Sequence, residues 1–265
     1  MKFGFIGTGN MGSAIAKAVA KNKGGKNIAL ADRSIQKAQI LADEIGASVL
    51  DNQATAKQCD YIFLGVKPQM MEHMLAEIKD ILQSRKGEVT LVSMAAGLTA
   101  DKICEMAGGD VAVVRIMPNT PVAIGKGIIL YCSNELAKNK ETFVAEALSM
   151  GGLVDKIDEK LIDVGTVVAG CGPAFAAMFA ESLADGAVSC GLPREKAEQY
   201  AAKMIEGTAS LISDGGKHPA KLKDEVCSPG GSTIKGVEAL EGNNFRGAVM
   251  AAVNAAYNKT KELGK

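Results

Sequence analysis

The segment that most constrains this chain is a glycine hexad near its start. It follows an apolar run at residues 3–6 and opens into a helix-like stretch at residues 13–20. In the order strand, G-x-G-x-x-G and helix, the first two glycines make a tight turn that a pyrophosphate can approach. The third lets helix and strand pack closely, and the helix N-terminus offers free N–H groups to the anion. The residues predicted to form this dinucleotide-binding turn are Gly7, Thr8, Gly9, Asn10, Met11 and Gly12.

Up to about residue 158, short apolar runs alternate with helix-like stretches. This alternation predicts a parallel sheet with helices on both faces, whose ligands bind at the carboxyl ends of the strands. We therefore predict an N-terminal, Rossmann-like doubly wound domain over residues 1–158. After the first strand, further strands are predicted at residues 27–31, 47–50, 61–66, 89–93, 111–116, 127–132 and 153–157.

From about Glu159 the strand signal ends and only helical stretches follow. The stretch Pro173–Cys190 is apolar nearly all round, with Glu181 and Asp185 as its only charges. A helix without a polar face should be buried on all sides. Either a subunit interface or the centre of a monomeric bundle would bury it, and we favour the interface. Residues 159–265 are accordingly predicted to form an all-helical domain for substrate binding and dimerisation.

Composition narrows the function classes. The 30 basic and 30 acidic residues cancel and aromatics are 4%, so we expect no nucleic-acid partner. Six scattered cysteines without C-x-x-C spacing predict reduced thiols in the cytoplasm and no metal site. The most apolar stretch, residues 164–180, contains three glycines and a proline. We therefore expect it to be too short and too broken to cross a bilayer, and we expect no membrane contact.

The end of the second predicted strand bears on the coenzyme. Asp32 stands where an acid usually grips the ribose diol of NAD. Arg33 can pair with a 2′-phosphate, and Ser34 opens a helix whose N–H groups suit that phosphate. We favour NADPH, with NADH as a possible alternative. A plain helix cap at residues 32–34 is compatible with both.

A second unusual segment lies near the C-terminus. Residues 228–231 read Ser-Pro-Gly-Gly, and Ser232 and Thr233 begin a helix. Bare backbone N–H groups at such a helix start can seat a carboxylate, with the Thr233 hydroxyl just beyond it. The alternative is a well-made helix cap. The residues predicted to bind an anionic substrate are Ser228, Gly230, Gly231, Ser232 and Thr233.

Several segments together resemble the pyrroline-5-carboxylate reductase family. The C-terminal part of the resemblance runs from His218 through the Ser-Pro-Gly-Gly-Ser-Thr segment to Glu241. Further matching segments are the glycine turn, Val66-Lys67-Pro68, Arg115 to Pro121, and Gly170 to Phe175 with Glu181. The resemblance implies reduction of Δ1-pyrroline-5-carboxylate to L-proline with NAD(P)H, and pairing through the C-terminal helices, often into rings of dimers. It also implies cofactor contacts at Asn52, Val66, Lys67, Pro68 and Ala95.

The expected chemistry separates this family from its competitors. A protonated imine is already electrophilic, so a Thr233 hydroxyl that aims the ring nitrogen would suffice as the catalytic group. β-Hydroxyacid dehydrogenases of the same layout use a lysine on the first long helix of the second domain, and Pro173–Cys190 contains no Lys, Arg or His. The sequence also allows another imine reductase of this architecture, or a non-catalytic NAD(P)-sensing protein.

Overall fold

Eight strands form one sheet in the order β3-β2-β1-β4-β5-β6-β7-β8. The structure is a computed structural model that describes residues 1–263; the last two residues of the predicted C-terminal domain lie outside the described residues. The strands are β1 (Phe3–Ile6), β2 (Ile28–Ala31), β3 (Ser48–Val49), β4 (Tyr61–Leu64), β5 (Thr90–Ser93), β6 (Ala112–Pro118), β7 (Gly127–Ser133) and β8 (Gly152–Lys156). Because β1 lies between β2 and β4, the sheet has its topological switch point beside the glycine turn.

The sheet is mixed, and the prediction of a wholly parallel sheet was wrong at one pair. Strands β1 to β6 are parallel to their neighbours, but β6 and β7 are antiparallel, with Ile116 opposite Tyr131. The β6–β7 connection spans only residues 119–126 and contains the 3-10 turn Thr120–Ile124. A parallel crossover needs a dozen or more residues, so this short connection reverses the chain.

Helices cover both faces of the sheet, as predicted for a doubly wound domain. Successive strand side chains point to opposite faces. Phe5 therefore joins the core with Ile15 on one face, and Ile6 joins the core with Met71 on the other. The helices of this part are α1 (Asn10–Lys23), α2 (Ile35–Ile45), α3 (Asn52–Gln58), α4 (Pro68–Ser84), α5 (Ala100–Met106), α6 (Glu141–Leu148) and α7 (Glu159–Thr166).

The chain divides into two compact units, Met1–Cys171 with the stretch from Ala256 onward, and Gly172–Ala255. In the described part of the second unit, the buried apolar side chains are Ala184, Ala197, Ala201 and Leu222. Large apolar side chains such as Met178 (65% exposed) and Tyr200 (55% exposed) are uncovered. The remaining helices are α8 (Gly172–Ser189), α9 (Arg194–Ser213), α10 (Pro219–Val226), α11 (Ser232–Gly242) and α12 (Phe245–Leu263).

The expectation that glycines and Pro173 interrupt the apolar stretch was wrong. One helix runs without a break from Glu159 to Ser189, through a π-helical turn at Val167–Cys171. Pro173 has no N–H for the carbonyl of Ala169, four residues earlier. The buried side-chain amide of Asn119 donates to that carbonyl at 3.0 Å instead. A partner from a distant loop therefore satisfies the acceptor that proline leaves open.

This 31-residue helix is, among residues 1–263, the helix whose length and composition would allow it to cross a membrane. Only 17% of its most apolar stretch is buried within the chain. Length and composition are weak evidence for a membrane span, because an uncovered apolar helix also fits a protein partner.

Candidate functional site

The glycine hexad forms a tight turn between β1 and α1. Gly7 has a φ of +98°, which favours glycine, and its N–H donates to the Ala31 carbonyl at 2.8 Å. A methyl group on Gly12 would lie 2.2 Å from the Gly7 carbonyl oxygen. That distance is too short for any side chain, so glycine at position 12 lets α1 begin directly against the strand.

Gly9 differs from the other two glycines of the motif. It is the N-cap of α1 with a φ of −65°, which any residue adopts, and a methyl group there would meet no protein atom within 4 Å. The protein's own packing therefore does not require glycine at this position. An exposed, bare N-cap on a helix that no side chain caps fits the close approach of a pyrophosphate.

Asp32 follows β2, and its carboxylate contacts the glycine turn. Its Oδ2 accepts hydrogen bonds from the backbone N–H of Thr8 at 2.7 Å and from the Thr8 hydroxyl at 2.9 Å. Its Oδ1 accepts one from the N–H of Ser34 at 2.9 Å. Burial alone would raise the pKa of Asp32, but these hydrogen bonds outweigh it and hold the pKa below its usual value. An ionised Asp32 thus links β2 to the turn after β1.

The residues after Asp32 form an open helix start. Arg33 is exposed, and Ser34 is the N-cap of α2 but makes no side-chain capping hydrogen bond. No side-chain hydrogen bond from Ser34 supports the interpretation of residues 32–34 as only a helix cap, and the phosphate site stays a prediction. The first N–H groups of α2 are available to an anion beside an exposed guanidinium, which is an arrangement that suits a phosphate.

The other predicted cofactor residues follow β3, β4 and β5. They are Asn52, Val66, Lys67, Pro68 and Ala95. Asn52 begins α3 and donates its side-chain amide to Glu77 at 2.9 Å. Lys67 is the exposed N-cap of α4, whereas Ala95 is buried. Because β1 to β5 are parallel, these positions share the sheet edge that carries the glycine turn.

Two contributors to the turn were missed by sequence reasoning. A methyl group on Gly65 would lie 2.4 Å from the Gly7 carbonyl oxygen, so Gly65 gives the turn its room. The available signal was a glycine directly after the apolar strand β4, at the switch point. Ser13 is the second contributor, because its hydroxyl donates to the Thr8 carbonyl at 2.8 Å.

The predicted substrate residues lie in the loop between α10 and α11. Gly230 has a φ of +69°, and the Gly231 N–H donates to the Ser228 carbonyl at 3.1 Å, which closes a turn. A methyl group on Gly231 would lie 2.4 Å from the Ser228 hydroxyl oxygen. The Ser228 hydroxyl therefore lies against the bare backbone at the start of α11.

Helix α11 begins without a capping side chain. Its N-cap is the half-buried Gly231, and Ser232 and Thr233 are exposed in its first turn. By contrast, Asp51 caps α3 and Thr99 caps α5 through side-chain hydrogen bonds. No side-chain capping hydrogen bond supports the alternative of a well-made helix cap at residues 228–233, and the substrate site stays a prediction. Free N–H groups beside two hydroxyls suit a small carboxylate.

A glycine-rich turn at the switch point of a doubly wound sheet, followed by a helical unit, is the layout of a nicotinamide-dependent oxidoreductase. Two family models agree with this class. One, described as NADP oxidoreductase coenzyme F420-dependent, matches residues 2–97. The other, described as pyrroline-5-carboxylate reductase dimerisation, matches residues 159–263.

Relatives match the whole chain. Pyrroline-5-carboxylate reductase 3 of Danio rerio is 39% identical, over 100% of this chain and 92% of that protein. Pyrroline-5-carboxylate reductase of Escherichia coli is 37% identical, over 100% and 98%. The crystal structure of Plasmodium falciparum pyrroline carboxylate reductase with NADP bound has a TM-score of 0.89 at 34% identity, over 100% and 98%. The chain belongs to the pyrroline-5-carboxylate reductase family, which confirms the resemblance and the predicted fold class.

The glycine turn can be tested with two matched alanine variants. Gly9→Ala meets no protein atom, so thermal stability should stay within about 2 °C of wild type while NADPH affinity falls at least roughly 10-fold. Gly12→Ala should lower both, because its methyl group collides with the Gly7 carbonyl. Calorimetry and NADPH titration measure the two effects. Normal affinity in Gly9→Ala would contradict a pyrophosphate at this turn.

Proposed function

We propose that this chain reduces 1-pyrroline-5-carboxylate to L-proline, the last step of proline biosynthesis, with NADPH as the hydride donor. The observation that carries the proposal is the uncapped start of α11 beside the Ser228 and Thr233 hydroxyls, in a member of this reductase family. A relative of 34% identity has NADP bound, which supports NADPH; NADH is the alternative donor.

The direct test is NADPH oxidation by the purified protein with pyrroline-5-carboxylate and, separately, with small 2-keto acids, while 3-hydroxy acids are assayed with NADP⁺. Proline formation at rates far above those for the other acids is the expected result. Turnover of keto or hydroxy acids alone would instead favour a β-hydroxyacid dehydrogenase, although α8 offers no Lys, Arg or His as its acid. Coenzyme binding without any turnover would mark a sensing protein.

The coenzyme is assigned to the sheet edge of the first unit. The turn at residues 7–12 and the start of α1 hold the pyrophosphate, and Arg33 with the start of α2 holds the 2′-phosphate. The residues assigned to the ribose and nicotinamide are Asn52, Val66, Lys67, Pro68 and Ala95. When bound, NADPH supplies the hydride.

The substrate carboxylate is assigned to the loop between α10 and α11. The Ser228 hydroxyl and the N–H groups of Ser232 and Thr233 bind it, and Gly230 and Gly231 shape the turn around it. The Thr233 hydroxyl accepts a hydrogen bond from the N–H of the protonated imine, and after hydride transfer it relays a proton from water to the lone pair of the new amine nitrogen. No strong acid is needed because the protonated imine already accepts hydride. Thr233 is thus the catalytic residue of the proposal.

The proposed assembly is a homodimer that forms through the C-terminal helices. These dimers assemble further into a ring, and the protein acts in the cytoplasm. The cofactor domain is assigned to residues 1–158 and the dimerisation domain to residues 159–265. The family model for dimerisation begins at residue 159, and the exposed apolar side chains of Met178 and Tyr200 offer surface for a second copy.

The role of Thr233 is tested by an isosteric pair. Thr233→Val should lower kcat/KM roughly 10- to 1000-fold, because one positioned hydrogen bond at the reacting centre is lost. Thr233→Ser keeps the hydroxyl and should recover most of the rate. The melting temperature should hardly change, since Thr233 is exposed and caps nothing. Full activity of Thr233→Val in steady-state assays would exclude the residue from the chemistry.

Coenzyme choice is tested at the start of α2. The double variant Arg33→Ala with Ser34→Ala should raise the KM for NADPH roughly 10- to 100-fold and leave that for NADH within about 3-fold. The matched control is Lys21→Ala. It removes one exposed positive charge from the last turn of α1, at the end of that helix away from the glycine turn. Equal losses for both coenzymes would show that no 2′-phosphate binds here.

A further inference from the structure

We propose that Asp32 is a positioning residue that holds the glycine turn in its coenzyme-binding shape, and that it is not the acid that grips the ribose diol of a nicotinamide coenzyme. The inference rests on the proposed function, because the shape of the turn matters only if a dinucleotide binds there. It assigns to this aspartate a task different from the one its place after β2 suggests.

The Asp32 carboxylate has too few free lone pairs to accept hydrogen bonds from both hydroxyls of a ribose diol. Each carboxylate oxygen has two acceptor sites. Both sites of Oδ2 are used by the N–H and the hydroxyl of Thr8, at 2.7 and 2.9 Å. One site of Oδ1 is used by the N–H of Ser34 at 2.9 Å. A two-oxygen grip on a ribose diol is therefore not available to Asp32.

Thr8 is held at all three of its polar groups. Its N–H and hydroxyl donate to Asp32, and its carbonyl accepts from the Ser13 hydroxyl at 2.8 Å. The residue is only 5% exposed, so the hydroxyl faces the protein rather than a ligand. The turn is thus clamped to the end of β2 on one side and to α1 on the other. Asp32 supplies the charge-assisted part of that clamp.

This arrangement explains how an acid after β2 is compatible with a 2′-phosphate. The charge of Asp32 is engaged by three donors, two from Thr8 in the turn and one from Ser34 after β2, which disperse it and fix its direction. The exposed Arg33 and the open start of α2 then remain to decide between coenzymes. Asp32 sets how strongly any dinucleotide binds, and its neighbours set which one.

The first test is Asp32→Asn. The asparagine amide can accept from one neighbour but turns its NH₂ group towards the other donor, so the clamp is broken. Dissociation constants for NADPH and NADH, measured by fluorescence titration, should both rise roughly 10- to 100-fold. The kcat at saturating NADPH should stay within about 2-fold, because Asp32 touches no reacting atom. Asp43→Asn, an exposed acid on α2, is the matched control for charge and should bind as wild type.

The second test leaves the charge intact. Thr8→Val removes one of the two hydrogen bonds to Oδ2 and should weaken both coenzymes by a common factor of roughly 3 to 10. In the Asp32→Asn background, Thr8→Val should cause little further loss of coenzyme affinity, because the two residues form one contact. Thr8→Ser keeps the hydroxyl and should restore most of the affinity. If Asp32→Asn fails to fold, Thr8→Val alone tests whether the contact between Thr8 and Asp32 supports coenzyme binding.

Two results would overturn the inference alone. One is an Asp32→Asn protein that loses NADH while binding NADPH as tightly as wild type or more so, since an acid on the ribose diol would behave in this way. The other is a Thr8→Val protein with both affinities unchanged. Wild-type protein that binds neither coenzyme would overturn the proposed function as well, so the two failures are distinguishable.

Discussion

Backbone N–H groups at helix starts are the interaction on which the proposed site depends. Helices α1, α2 and α11 begin without a capping side chain at the three positions where the sequence predicts an anion. Open starts also occur at α4, α6 and α9, so openness alone does not mark a site. What sets α1 and α11 apart is a glycine N-cap, Gly9 and Gly231, which leaves bare backbone facing the anion. A glycine in place of a capping side chain costs only about a few tenths of a kcal/mol, which a bound anion can offset.

The uncovered apolar surface of the second unit bears on the same function. Its described residues bury few side chains. The helix that enters it from Glu159 continues past Pro173, and the Asn119 amide satisfies the Ala169 carbonyl that proline leaves open. A helix of this composition is stable when another apolar surface covers it. The match of residues 159–263 to a dimerisation family fits a second copy as that cover.

Much of the first unit could be predicted because its signals are local. Apolar runs with flanking turns located all eight strands, and the glycine hexad located the turn between β1 and α1. What was missed depends on residues far apart in the chain. The Asn119 amide that lets the helix pass Pro173 is 50 residues from its acceptor. The Thr8 contacts that occupy Asp32 come from 24 residues away, so no local pattern reveals them. The antiparallel direction of β7 is different, because the connection at residues 119–126 is too short for a parallel crossover and its length can be seen in the sequence.

The most direct measurement is an amide NMR titration of the isotope-labelled protein, first with NADPH and then with L-proline. If main-chain N–H groups hold both anions, NADPH should shift the amide signals of residues 9–12 and 35–37. L-proline should then shift those of residues 231–233. Changes confined to side-chain signals, or an unperturbed loop between α10 and α11, would contradict recognition of the two ligands by open helix starts.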